Sequence, residues 1–414
     1  MSLLIQTNFI KNKKLFLDEF IVSSPKFLHI DKDHWSKINQ SFSKEEIKRA
    51  IVDVVNRHKL PVPSSDKGDH SRNLHRAISY IKTLDTRSLV KEAPDRIFLR
   101  KKYRYGLSNY YLESNSKANL VSDYYHRDNR MKCGTFKFVS PYDAWNDKEK
   151  LAYCLNALWS MKLDKVDSTS LHNCLALRQY VASQFRPVTA KTIYDLFGAK
   201  KVLDTSMGWG DRLAGFCFSE KGERYMGFDP NFRLHEGYKK QISLYGEGRE
   251  FAFNLSPSED GSYPKEFFDF SFTSPPYFET ERYGSKKDKG QSWVRYGKVE
   301  TWLNDYLFET VERIWYSLKP GGIMALNIAD LGVSYKSSDI CDPMNDWIST
   351  FKDAHYLGCL GLRLSARPST SIDKRNESGQ KHIFVEPIWV WKKEKDSMDS
   401  LGNIINNFKT GSTH

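Results

Sequence analysis

Residues 267–277 read Phe-Phe-Asp-Phe-Ser-Phe-Thr-Ser-Pro-Pro-Tyr, an apolar strand pattern that empties into a stiff turn. Two consecutive prolines, Pro275 and Pro276, lock the backbone and remove two donors, which leaves carbonyl acceptors facing outward. Ser274 adds a hydroxyl and Tyr277 an aromatic face. These parts suit a single purpose, in which a planar heterocycle rests on Tyr277 while its exocyclic amine donates hydrogen bonds to the Ser274 hydroxyl and the Pro275 carbonyl. Such acceptors draw the nitrogen lone pair out of conjugation with the ring, and the amine becomes a nucleophile. Standing alone, the string would read as an ordinary Pro-Pro turn.

A second constellation changes that weighting. Residues 201–212, Lys-Val-Leu-Asp-Thr-Ser-Met-Gly-Trp-Gly-Asp-Arg, run from a short strand through a glycine turn into a helix. Gly208 and Gly210 let the backbone turn sharply and lie against a ligand where a side chain would block it. Asp204, Ser206, Met207 and Trp209 make up the rest of the turn. About twenty residues on, Tyr225-Met-Gly-Phe-Asp229-Pro230 sets a carboxylate at the end of the next strand, where it can accept both hydroxyls of a ribose. The plainer alternative is a solvated Asp-Pro turn.

These residues need a scaffold, and the surrounding pattern supplies one. Val/Ile/Phe-rich runs predict strands at Lys201 to Thr205, Arg224 to Asp229, Glu250 to Asn254, Phe268 to Thr273, Gly322 to Ala329 and His382 to Trp391. Helices are expected at Val188 to Phe197, Asp211 to Cys217, Phe232 to Tyr245 and Val299 to Leu318, the last ended by Lys319-Pro320-Gly321-Gly322. Alternating strands and helices predict an α/β fold with a mostly parallel sheet, helices on both faces, and sites at the strands' carboxyl ends. Residues 181–393 form this expected catalytic domain. Residues 1–180 are expected to be mainly helical and to help recognise the target. Within them Ser43 followed by Glu46 marks a capping box that opens a helix through Arg57, stopped by the loop Pro61 to Asp69. Residues 394–414 are polar and read as a loose tail.

The 414-residue chain carries a formal charge of +12, with 63 Lys and Arg against 51 Asp and Glu. Fixed cations favour polyanionic partners through release of condensed counterions. Six scattered cysteines without a CxxC pair argue against a disulfide framework or a zinc site, and no metal is expected. No stretch reaches the roughly 18–20 apolar residues of a membrane span, so an intracellular soluble protein is expected, cytoplasmic or nucleoid-associated. Arg96 to Lys137 interleaves cations, Lys101 and Arg104 among them, with tyrosines, a mixture suited to phosphate contact and base stacking. After the Pro-Pro turn, Glu279 to Lys298 holds Arg282, Lys286, Lys287 and Arg295 between glycines, as a mobile substrate loop would. Arg367 to Lys381 is a third, weaker basic loop. The alternatives are a solvated basic edge for the first, a plain surface excursion, less favoured, for the second and a solvated hairpin tip for the third.

Together the two constellations resemble those of class I S-adenosylmethionine-dependent DNA amino-methyltransferases. That family's cofactor loop has the form Asp-x-x-x-Gly-x-Gly and its catalytic loop the form (Asp/Asn/Ser)-Pro-Pro-(Tyr/Phe/Trp). The resemblance covers roughly residues 185–393 and implies a Rossmann-like sheet, mostly parallel with an antiparallel last strand, and S-adenosyl-L-methionine as cofactor. By the same resemblance, Asp204 to Gly210 hold the methionine part of the cofactor and Asp229, with Pro230 after it, its ribose. Ser274 to Tyr277 hold the target base. Gln184-Phe185-Arg186-Pro187 is similar to the family's cofactor-flanking segment, which sets Phe185 near the methionine end. Glu259 or Asp260 is the expected partner of the cofactor adenine. Serine at the first catalytic position is commoner among enzymes making N4-methylcytosine, so cytosine is favoured over N6-methyladenine. Reaching that amine in a duplex requires base extrusion or a single-stranded substrate. RNA amino-methylation, protein-glutamine methylation and non-catalytic nucleic-acid binding are the alternatives.

Overall fold

A computed structural model describes residues 10–11, 14–23, 26–60, 67–99, 101–135, 137–284, 287–330, 339–364, 379, 381–394 and 397–411. The chain forms two compact units. One comprises Met1–Asn73, Arg127–Ser183 and Glu281–Gly284; the other comprises Leu74–His126, Gln184–Thr280 and Ser285–His414. The division differs from the expected boundary near residue 180, because residues 74–126 join the sheet-bearing unit.

The first unit is largely helical. Its helix Lys44–Val55 opens with the expected capping box: Ser43 Oγ accepts from the Glu46 amide at 3.3 Å, and the Glu46 carboxylate accepts from the Ser43 amide at 2.8 Å. Each bond satisfies an amide that the first helical turn leaves without a partner. Ile47 and Ile51, spaced four residues apart on one helix face, pack into a core with Trp35, Trp145, Leu155 and Leu171. The expected loop from Pro61 lies outside the described residues as far as 66, and the helix Lys67–Lys82 already begins at its far end.

The second unit is built on a ten-stranded sheet. Its strands are β1 (Val90–Glu92), β2 (Ile97–Leu99), β3 (Leu107–Leu112), β4 (Lys201–Asp204), β5 (Arg224–Phe228), β6 (Glu250–Asn254), β7 (Phe268–Thr273), β8 (Leu318–Asn327), β9 (Ala354–Arg363) and β10 (Ile383–Lys393). The spatial order is β6-β5-β4-β7-β8-β10-β9-β3-β1, with β2 beside β10. Strands β4 to β8 are mutually parallel. Strand β10 runs antiparallel to both β8 and β9. The sheet is thus mostly parallel with a late antiparallel hairpin, the Rossmann-like arrangement that the resemblance implied.

Helices α1 (Pro187–Leu196), α2 (Asp211–Cys217) and α3 (Phe232–Tyr245) fall where the apolar spacing predicts them. The helical stretch 299–317 includes a π-helical segment, Leu303–Phe308. Its Trp302, Leu307, Val311 and Ile314 pack against Leu203, Leu326 and Ile328 at the sheet.

Three elements depart from expectation. Residues 90–112, read as part of a mainly helical region, supply β1 to β3; the partner of β3 is β9, some 250 residues later. Strand β9 is interrupted by glycines that hide its pattern. A bulge falls between Tyr356 and Gly358, and at Gly361 a Cβ would lie 2.9 Å from the Val385 side chain. The polar C-terminal stretch contains a helix, Leu401–Thr410, rather than only a loose tail. Ser400 caps it, and Leu401 and Ile405, four residues apart, are buried.

Candidate active site

The strand order reverses between β4 and β7, and ligands in open α/β sheets bind outside the carboxyl ends at such a switch point. Ser271 pairs with Leu203, so the glycine turn after β4 and the Ser-Pro-Pro-Tyr loop after β7 leave the sheet side by side. Residues 70 apart in sequence are brought together by this one register.

The glycine turn is held from below. Asp204 is wholly buried: Arg212 reaches its carboxylate at 2.8 and 3.2 Å, the Tyr225 hydroxyl at 2.6 Å and the Ser206 amide at 3.1 Å. Its oxygens are thus committed to shaping the turn. Burying a carboxylate is costly, and Arg212 with its added donors offsets that cost. The Met207 side chain packs on Gly227, where a Cβ would come within 2.3 Å of its sulfur, so Met207 too belongs to the core. Trp209 is buried and Ser206 half-buried, with Ser206 Oγ 3.5 Å from the Tyr306 hydroxyl.

The two glycines have different reasons. Both have positive φ, +56° at Gly208 and +70° at Gly210. A Cβ at Gly210 would fall 2.2 Å from Gln241 Oε1 and 2.9 Å from His126 Nε2, whereas one at Gly208 would meet only the Ser206 carbonyl at 3.8 Å. Gly210 is required by packing; Gly208 keeps its face open. His126 is fully buried, and burial pushes its pKa down to about 4. In front of α1, Gln184 Nε2 lies 2.8 Å from Asp211 Oδ1 and 2.9 Å from the Asn119 carbonyl. That anchor sets Phe185 edge-on to Phe272 at 5.2 Å, with the Arg212 guanidinium 5.8 Å from the Phe185 ring.

Asp229 sits at the end of β5, as expected. Its carboxylate accepts from the Gly208 amide at 2.8 Å and the Asn231 amide at 2.9 Å, and burial pushes its pKa up to about 6. The Tyr238 hydroxyl lies 3.4 Å from Oδ2, and Oδ1 retains a lone pair for a further donor. Past β6, Glu259 rather than Asp260 is the buried acid. Its Oε1 accepts from Tyr296 at 2.9 Å and pairs with Arg295 at 2.8 Å, while its Oε2 is buried with no partner. Thr205 and Thr273, at the ends of neighbouring strands β4 and β7, also carry buried hydroxyls with no partner. Buried polar atoms are ordinarily satisfied. Beside these three buried atoms, Asp229 and the open face of Gly208 suit a ligand that carries a diol and amine donors. S-adenosylmethionine is such a ligand.

In the Ser-Pro-Pro-Tyr loop Pro275 is buried, and Ser274, Pro276 and Tyr277 are half-buried. The Tyr277 hydroxyl lies 3.0 Å from Glu386 Oε1 on β10 and 3.2 Å from the Asn327 carbonyl ending β8. Burial first, and the Glu386 charge second, hold its pKa well above that of an ordinary tyrosine. Phe278 follows with φ +48°, a conformation strongly disfavoured for an aromatic residue, and its amide bonds back to the Pro276 carbonyl at 3.0 Å. A strained residue directly after the loop fixes where the loop ends. Sequence reasoning missed both Glu386 and Asn327, because nothing local links them to Tyr277.

The expected phosphate-binding residues are placed differently. Lys101 is paired with Asp330 at 2.5 Å and with Asp339; Arg104 is paired with Asp346 and lies 3.6 Å from Asp342. Arg295 makes a two-pronged pair with Asp260 at 2.8 and 3.0 Å, besides its contact with Glu259. These three cations are ion-paired within the protein. Pro230 belongs to the same corner, where Gly290 lies close against it and Asp288 pairs with Arg233 at 3.6 Å. Residues 287–298 therefore line the Asp229 and Glu259 side of the crevice instead of extending away as a free loop. Arg282 forms an antiparallel bridge with Gly134, and Lys287 is exposed. Lys286 and nearly all of the Arg367 to Lys381 loop lie outside the described residues.

No family model matches the chain, and no curated protein matches it. Among solved structures it is similar to the SAM-dependent O-methyltransferase of Thermotoga maritima, at 11% identity over 53% of this chain and 69% of that one, with a TM-score of 0.33. It is similar to the tRNA (m1A58) methyltransferase of Aquifex aeolicus at 14% identity, over 52% and 72%, with a TM-score of 0.32. An rRNA methylase of Streptococcus thermophilus matches at 16% identity, over 51% and 99%, with a TM-score of 0.30.

Proposed function

We propose that the chain uses S-adenosyl-L-methionine to methylate an exocyclic amino group of a DNA base, cytosine N4 in preference to adenine N6. The observation that carries this reading is the adjacency of the Gly208 turn and the Ser274 to Tyr277 loop at the switch point of the sheet. Asp229 accepts the ribose hydroxyls, Glu259 Oε2 accepts the adenine amine, and the open face of Gly208 admits the cofactor chain. When bound, the cofactor supplies an electrophilic methyl group on a sulfonium.

The protein's own part is orientation and electrostatics. Tyr277 carries the base on its ring, while the Ser274 hydroxyl and the Pro275 carbonyl accept from the amine. Both acceptors gain strength as the nitrogen pyramidalises and its hydrogens become more acidic, so they favour the transition state over the ground state. Ser274 is neutral and orients without taking the proton, which leaves to solvent. Serine in place of an acidic or amide residue supports cytosine. The net charge of +12 supports a polyanionic substrate.

The test is transfer of labelled methyl groups from the cofactor into unmodified DNA, RNA and protein offered separately. Label entering DNA is the expected result. Label entering protein, or none of the three, overturns the reading.

A further inference from the structure

The best-fixed atom of the catalytic loop is the hydroxyl of Tyr277, and its partners come from two other strands. It has one hydrogen to donate, with Glu386 Oε1 at 3.0 Å on β10 and the Asn327 carbonyl at 3.2 Å at the end of β8 as acceptors, while the Ser274 side chain also bonds to it. A charged acceptor makes the stronger bond, so the hydrogen goes to Glu386. Asn327 is itself fixed, fully buried, with Nδ2 donating to the Pro387 carbonyl at 3.0 Å. Strands β8 and β10 are paired through Asn327 and Ile388, so both acceptors belong to one rigid hydrogen-bonded ladder.

The loop side of the ring is constrained as well. The Phe278 amide closes a three-residue turn onto Pro276, the Thr280 amide bonds to the Tyr277 carbonyl at 3.0 Å, and Phe278 packs edge-on to Trp302. A ring tethered at its hydroxyl by the sheet and at its backbone by the loop has one tilt. Stacking on a planar base depends on that tilt.

We propose that Glu386 is a positioning residue: it sets the plane of the Tyr277 ring on which the target base stacks, and thereby the distance from the amine to Ser274. The inference rests on the proposed base methylation and adds to it a residue that acts through Tyr277 and touches neither base nor cofactor. Because the role is acceptance of a hydrogen bond, glutamine, whose amide oxygen also accepts, should fill it, and alanine should not.

The experiment compares the full chain with Glu386→Ala, Glu386→Gln, Tyr277→Phe and the double variant Tyr277→Phe/Glu386→Ala. Each is measured for cofactor affinity, thermal midpoint, and kcat and KM on unmodified DNA. Loss of a hydrogen bond to a charged group predicts that Glu386→Ala and Tyr277→Phe each lower kcat/KM by about 10–100-fold with cofactor affinity unchanged. Glu386→Gln stays near the parent, and the double variant is no worse than either single, as expected of two ends of one bond. Parent activity in Glu386→Ala, losses in Glu386→Gln as large as in Glu386→Ala, or losses that multiply in the double variant would overturn the assignment. Absence of methyl transfer by the parent protein would instead remove the proposed function, so the two failures are distinguishable.

Discussion

Gly208→Ala and Gly210→Ala add the same methyl group two residues apart, and the surroundings give the two changes different fates. Both residues have left-handed backbone, which costs an L-residue about 1–2 kcal/mol. At Gly208 that is the whole expected cost to stability, since the new Cβ meets nothing nearer than 3.8 Å. At Gly210 the Cβ falls 2.2 Å from Gln241 Oε1, an atom already bonded to His126 Nε2 at 2.9 Å. Gln241 and His126 are both fully buried and have no room to retreat. Overpacking of this kind costs about 1–3 kcal/mol, so Gly210→Ala should lose about 2–5 kcal/mol in all. Cofactor binding should show the reverse order. The Gly208 methyl projects over the open face where the cofactor chain is proposed to lie, and should lower affinity at least tenfold in a protein that remains folded. Urea denaturation gives the stabilities and calorimetric titration with S-adenosylmethionine the affinities. Equal stability of the two variants, or parent affinity in Gly208→Ala, would refute this reading of the turn.

Asp229 has its pKa raised to about 6 by burial, and in the proposed complex a ribose diol donates to the ionised form. Cofactor affinity should therefore rise about tenfold between pH 5 and 7, as the ionised fraction climbs, and Asp229→Asn should flatten that profile in calorimetry. The folded-state pKa of His126, about 4, lies below its ordinary 6.5. Between those values the unfolded chain binds the extra proton, so its contribution to stability is present above pH 6.5 and lost as pH falls toward 4, by about 3 kcal/mol. Denaturation midpoints across that window should fall less steeply in His126→Gln than in the parent; parallel curves would contradict the assignment. Ser274→Ala should slow the methyl-transfer step in single-turnover kinetics at saturating DNA, while Tyr277→Ala should show a defect partly rescued by more DNA. Parent rates in both would move the chemistry elsewhere.

The glycine turn, Asp229 and the Pro-Pro loop were legible because each is local: a few consecutive residues whose backbone demands leave a mark in residue type. Strands β4 to β7 were legible for the same reason, as short apolar or alternating runs. What the sequence concealed was pairing at a distance. Lys101 and Arg104 look like a phosphate grip until Asp330, Asp339, Asp342 and Asp346 arrive from more than 200 residues away. Glu386 looks like one charge on a late strand until β10 brings it under Tyr277. Asp204 fits the family's cofactor loop, yet its carboxylate turns inward to Arg212 and Tyr225, which a one-dimensional motif cannot distinguish from turning outward. The helix Leu401–Thr410 escaped notice because its buried stripe, Leu401 and Ile405, is thin against six polar or glycine neighbours.

The central claim is that the Ser274 to Tyr277 loop activates the exocyclic amine of a base beside a cofactor held at Gly208 and Asp229. The most direct measurement is nucleoside mass spectrometry of unmodified DNA after incubation with the purified protein and S-adenosylmethionine. The expected product is N4-methylcytosine, formed much more slowly when Ser274→Ala replaces the parent protein. DNA that returns with no methylated amino group, or with methylation that persists undiminished in Ser274→Ala, would contradict the claim.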